Sequence, residues 1–178
     1  AVKLATQRLR NAGAQIRTQS PILNNINADA DVWAEMWRKQ VNMNMIPYYM
    51  FVARDTGAQT YFEVPLVQAW ETFQKAYQQV SGVCRTVRGP SMSCTPGKVQ
   101  VLGPTEIPVN GKMEKVLALR MIQGRNPDWV ARPFFARYDD KAVWMNQLQP
   151  AFGDSFFFED ELEQMYYEKV SDHANNFE

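Results

Sequence analysis

"IPYYMFVARDTGAQTYFEVPLVQAWETFQKAYQQVSGVCRTV", residues 46–87, reads as strand, helix and strand. Its opening "IPYYMFV" is apolar or aromatic throughout, the composition of a strand covered on both faces. A helix begins at Pro65, whose missing N–H costs nothing in a first turn. Leu66, Ala69, Trp70, Phe73, Ala76, Tyr77 and Val80 then recur at helical spacing and form one apolar stripe. Ser81-Gly82 end the helix, and "VCRTV", Val83–Val87, reads as the next strand. A strand, a helix and a strand of these lengths make a right-handed crossover between parallel neighbours.

The same unit recurs upstream. Val2–Ala12 is helix-like and stops at Gly13, which suits the left-handed position after a helix end. "AQIRTQS", Ala14–Ser20, reads as a short strand, and Asp29 or Asp31 caps a second helix carrying Trp33, Met36, Trp37, Gln40 and Val41 at helical spacing. Repeated helix-then-strand units predict an α/β fold with a parallel sheet, as in a (β/α) barrel or a doubly wound domain. An α/β domain seldom begins with a helix feeding an interior strand, so the chain is expected to begin in mid-domain.

Downstream the pattern changes. "KVQVL", then "IPVNGKM" with Asn110-Gly111 as a hairpin turn, then "KVLALRMI", Lys115–Ile122, predict antiparallel pairs. "GRNPDW" is a turn-rich corner and "RPFFARYDD" adds an extended segment. The closing "FGDSFFFEDELEQMYYEKVSDHANNFE" reads as a packing tail with a frayed end. The chain thus divides into a partial (β/α) region, residues 1–90, and a region of hairpins and tail, residues 91–178.

Composition narrows the function classes. The 178 residues carry 19 basic and 19 acidic side chains, so no net field argues for nucleic acid or an anionic membrane surface. No apolar run is long enough to span a bilayer and no secretory leader pattern opens the chain, so a soluble, cytoplasmic protein is expected. Cys84 and Cys94 are too few for a disulfide framework and are expected to be buried small residues. His173, the single histidine, lies in the polar tail, which argues against Ser-His or Cys-His catalysis and against a histidine metal site. No metal ligands are assigned.

In parallel α/β sheets, ligands collect at the carboxyl ends of the strands, where successive loops converge. The expected ends are Thr18-Gln19-Ser20, Arg54-Asp55-Thr56 and Arg88-Gly89-Pro90, which would share one rim. Lys98 follows the corner Thr95-Pro96-Gly97 between two stretches rich in Val, Met and Cys. It is either a turn lysine in water or an amine held with little slack for chemistry.

Two segments carry a resemblance. "AGAQIRTQSPILNNINADADVWAEMWRKQVNMNMIPYYMFVARDTGAQTYFEVPL", residues 12–66, has a "QS" strand end, an L-x-x-I-N loop, a "PYY" strand and a YF-x-x-P helix start. "SGVCRTVRGPSMSCTPGKV", residues 81–99, places a Pro-Gly corner before a lysine. In order and spacing these resemble the second half of the barrel of the lysine 2,3-aminomutase family of radical S-adenosylmethionine enzymes. The resemblance implies the C-terminal half of a partial TIM-like (β/α) barrel followed by antiparallel hairpin strands. It implies that Lys98 is the catalytic lysine that forms the internal Schiff base with pyridoxal phosphate. Gln19 would lie at the S-adenosylmethionine site, and Asp55 would meet the distal amine of a lysine substrate.

The sequence also departs from the family. Where the family has an acidic residue and a glycine run before its lysine, this chain has Ser91 and "SCTPGK". The family's C-terminal zinc-binding cysteines are absent, as are the early-strand arginines that receive the pyridoxal phosphate group. No CxxxCxxC is present, so the usual thiolate ligands of a 4Fe–4S cluster are missing from this chain. The implied protein is the C-terminal portion of an isomerase that moves an amino group between adjacent carbons of an amino acid. Alone the chain is expected to be inactive, to bind pyridoxal phosphate weakly or not at all, and to associate with itself or with a missing N-terminal half. Two alternatives stay open: a half-barrel binding or assembly module, and a radical enzyme that does not use pyridoxal phosphate.

Overall fold

A computed structural model describes residues 1–54, 57–109 and 111–175. Helix α1 (Val2–Asn11) ends before Gly13, whose φ is +89°. Strand β1 (Arg17–Ile22) leads to α2 (Ala30–Asn42), and the Asp29 carboxylate caps that helix by accepting from the Asp31 and Val32 N–H groups. Strand β2 (Ile46–Val52), the single turn α3 (Gln59–Phe62) and α4 (Leu66–Gln78) follow, with Pro65 just ahead of α4. The remaining elements are β3 (Arg88–Cys94), β4 (Gly97–Val109), β5 (Lys112–Gly124), β6 (Pro133–Arg137) and α5 (Glu159–Asn175).

The six strands form one sheet in chain order, parallel from β1 to β3 and antiparallel from β3 to β6. The parallel start and the antiparallel continuation match the expected change of pattern. Val109 and Lys112 pair across the expected hairpin turn, of which Asn110 lies outside the described residues.

Two expectations are overturned. The first is half of a (β/α) TIM-like barrel: the sheet is an open, mixed one whose edges are β1 and β6. The reason lies at Thr95-Pro96, where the chain reverses at once, pairing Cys94 with Gly97 and Ser93 with Lys98. From there the sheet grows by hairpins, whereas a (β/α) barrel needs every further strand to be parallel and reached by a crossover. The second is the strand at Val83–Val87, because β3 begins only at Arg88. Gly82–Cys84 form a 3₁₀ turn, and Arg85 Nε donates to the Tyr77 and Val80 carbonyls while Tyr77 Oη donates to the Arg85 carbonyl. A basic side chain satisfying the last helical carbonyls keeps this segment as a helix terminus. Arg88 therefore opens β3 and pairs with Tyr49 in β2.

Helices α2 and α4 cover one face of the parallel strands. Trp37 meets Phe73 and Tyr77 edge-on at 6.0 and 6.4 Å between ring centres, and Met50 is buried beneath them. Each such fully buried side chain stabilises the fold by roughly 1.5–3 kcal/mol. The same face over β4 to β6 is covered by the stretch before α5. Trp144, Leu148, Phe156 and Phe158 there pack with Leu117, Leu119, Met121 and Phe134. A hydrogen bond from Leu66 N–H to the Ala142 carbonyl joins the two parts of this layer. Helix α5 is anchored by Glu161, which accepts from Trp129 Nε1 and Asn126 Nδ2. Among the described residues no helix is long and apolar enough to cross a membrane.

Candidate functional site

The site lies on the sheet face opposite α2 and α4. Thr18 pairs with Pro47 but Gln19 pairs with Tyr49, so Tyr48 is an extra residue in β2. A β-bulge of this kind turns consecutive side chains toward one side. The Tyr48 and Tyr49 ring centres are 4.3 Å apart, and Tyr49 stacks on Phe51 at 5.2 Å with 13° between planes. These rings make an aromatic shelf.

Cations converge on it from three strands. The Arg17 guanidinium of β1 lies 5.2 Å from the Tyr48 ring centre. Arg88 of β3 lies 5.1 and 5.4 Å from the Tyr48 and Tyr49 ring centres and donates from Nη1 to Tyr49 Oη at 2.7 Å. Lys98 of β4 brings its Nζ to 4.4 Å from the Tyr49 ring centre and 5.3 Å from that of Phe51. The negative ring faces attract all of these cations. The hydrogen bond with Tyr49 holds the Tyr48 hydroxyl below the usual phenol range, helped by Arg88, Arg17 and Lys98. Burial pushes Tyr49 up, with Arg88 opposing it.

Lys98 is held by backbone on both sides, paired with Ser93 of β3 and Gln123 of β5. Gly97 before it has φ +147°, and a Cβ there would stand 2.1 Å from the Gln123 carbonyl oxygen, so only glycine fits the turn. An open cavity of about 490 Å³ at the carboxyl ends of β1 and β2 is lined by Gln19, Phe51, Ala53, Arg54, Ser93 and Lys98. Gln19 and Lys98 thus line the same cavity. Arg88 lies at the other end of its strand from the position expected for it, yet reaches the Lys98 shelf because register sets it beside Tyr49. Asp55 lies outside the described residues.

Sequence reasoning missed Arg17, Tyr48, Tyr49, Phe51 and Ser93 as site residues. The signal for the shelf was the Tyr48-Tyr49 doublet in an otherwise apolar strand, a composition that equally suits a core strand. Alternation alone would send neighbouring tyrosines to opposite faces, and only the bulge brings them together.

The donor set suits pyridoxal phosphate. It offers a primary amine, flat rings to face a heteroaromatic ring, and arginines for a phosphate. It does not suit an iron–sulfur cluster. Cys84 is buried in the 3₁₀ turn and Cys94 donates to the Gly97 carbonyl, so the thiols do not converge. No group of three or more His, Cys, Asp or Glu side chains comes together among the described residues.

No protein-family model matches the chain. It is 28% identical over 102 residues to a protein of Aquifex aeolicus (strain VF5) described as "Putative L-lysine 2,3-aminomutase". The two are distantly similar. The match covers 57% of this chain, which spans about a quarter of that relative, 27% of its length.

Proposed function

We propose that this chain is the cofactor-lysine portion of a radical S-adenosylmethionine, pyridoxal-phosphate-dependent aminomutase-like enzyme. Such an isomerase moves an amino group between adjacent carbons of an amino acid. The observation that carries this reading is the cavity shared by the Lys98 amine and Gln19, in a chain distantly similar to a protein named for lysine aminomutation.

Bound pyridoxal phosphate supplies an aldehyde that takes up amines and a ring that spreads charge or an unpaired electron. The chain's own residues hold and orient it. Lys98 Nζ is the attachment point, and its paired backbone fixes the Cα from which that amine reaches. Tyr49 and Phe51 give the amine an apolar floor and keep water from that side. The Gln19 amide, across the cavity, offers donor and acceptor to the ribose or base of S-adenosylmethionine. Asp55 is assigned to the substrate's distal amine. The cluster that starts radical chemistry is assigned to a segment or partner outside this chain, so the chain alone does not catalyse the reaction.

The test is made in the full-length protein. Lys98→Ala is expected to abolish the visible absorption of bound pyridoxal phosphate while leaving the absorption of the iron–sulfur cluster. Retention of the cofactor band by that variant would assign the cofactor to another residue and overturn the reading.

A further inference from the structure

Gln19, Phe51, Ala53, Arg54, Ser93 and Lys98 line the cavity, and a ligand fixed there by one covalent bond needs a second anchor to set its orientation. The shelf supplies a candidate. The guanidinium of Arg88 and the amine of Lys98 lie within 5.4 and 4.4 Å of the same Tyr49 ring centre. Arg88 is fixed before any ligand arrives, by its bond to Tyr49 Oη and by the Tyr48 and Tyr49 rings. That bond uses one N–H of a guanidinium that carries five. Among the described residues no carboxylate pairs with Arg88, Arg17 or Lys98. Cations gathered without a counter-ion favour an anion, and a preorganised guanidinium matches the oxygens of phosphate or carboxylate.

We propose that Arg88, backed by Arg17, is the oxyanion receptor for the ligand held at Lys98. The oxyanion is either the phosphate of pyridoxal phosphate or the carboxylate of the amino acid that joins it. This rests on the reading of Lys98 as the cofactor lysine. It also gives this chain an anion anchor of its own.

Borohydride trapping on Lys98, read by peptide mass spectrometry of the full-length protein, separates the sources. In one arm the trapping agent is pyridoxal phosphate or pyridoxal, which lacks the phosphate. In the other, lysine or lysinamide is added to protect Lys98 from labelling by pyridoxal phosphate. Wild type is expected to favour the charged compound in at least one arm by roughly ten- to a hundredfold, the scale of one charge-assisted contact. In Arg88→Gln that preference is expected to fall to about twofold. Trapping by pyridoxal alone should persist and show that the fold and Lys98 are intact, and Arg88→Lys should restore part of the preference. Loss in the first arm assigns Arg88 to the phosphate, and loss in the second assigns it to the carboxylate. Unchanged preference in both arms would overturn the role of Arg88 and leave Lys98 standing. Absence of Lys98 label from either compound in wild type would overturn the cofactor reading and this inference with it.

Discussion

Gly97 decides where Lys98 can be. Its φ of +147° and the Gln123 carbonyl oxygen, 2.1 Å from where a Cβ would stand, leave no room for a side chain. Gly97→Ala therefore has to open the β4–β5 ladder at the residue before the amine. A loss of roughly 1–3 kcal/mol is expected, as for strain at a special backbone angle, measured as a lower urea midpoint at unchanged slope. Wild-type stability would show that the ladder yields there. Cys94, the other side of the same corner, has its thiol pushed up to about 11 by burial, against a weaker pull from its bonds to the backbone. At pH 8 only about one molecule in a thousand then carries the thiolate, so alkylation should be slow and should quicken about tenfold per pH unit until the thiol titrates. Because the fold holds this proton more tightly than the unfolded chain does, Cys94 adds stability that is fully present below about pH 9 and lost as the pH rises through about 11. Rapid labelling of Cys94 at neutral pH, with the fold intact by circular dichroism, would contradict that burial. The Pro-Gly corner and its lysine were legible in the sequence because turn chemistry is local. The convergence of Arg88 and Lys98 on Tyr49 was not, since it depends on register across three strands.

Most of the elements were legible for the same local reason. Asp29, the α2 stripe of Trp33 and Trp37, and Pro65 ahead of α4 each fix an element by capping or by period, and all appear where the pattern put them. The strand expected at Val83–Val87 failed because a side-chain cap intervened: the Arg85 guanidinium donates to the Tyr77 and Val80 carbonyls at and just past the end of α4. Docking of α4 was equally hidden. The indole of Trp70 lies against Gly103, which has φ +110° at a register shift in β4, and a Cβ there would come within 2.1 Å of Trp70 Cε2. Gly103→Ala is expected to cost more than the ~1–3 kcal/mol of backbone strain alone, since it must also displace the indole. In the background of Trp70→Ala the same change should cost less, the coupling expected of groups in contact. Additive losses in this double-mutant cycle would place the clash elsewhere. Asp29→Ala removes the acceptor for two N–H groups of α2 and should cost about 1 kcal/mol in thermal or urea unfolding.

For the whole molecule, local reading reached the change from parallel to antiparallel pairing but took the parallel part for half of a TIM-like barrel, where it is one end of an open, mixed sheet. Helix–strand alternation is common to barrels and open sheets, and closure is decided by the connection leaving β3, where a hairpin replaces a crossover. The outcome leaves β1 as an edge with one row of backbone groups unpaired within the sheet. Helix α1, which precedes it in the chain, exposes Val2, Leu4 and Leu9, at 68, 53 and 55% of their surface. An edge strand and exposed apolar side chains recruit another chain, because each unmade backbone bond and each exposed leucine gains on being covered. The chain is therefore expected to self-associate, its sedimentation coefficient rising with concentration. Leu4→Lys and Leu9→Lys would replace two of the exposed apolar side chains of α1 by charges. These changes should shift the species toward monomer with helix content unchanged. A monodisperse monomer at high concentration, or association indifferent to these changes, would show that this side of the molecule is protected in solution.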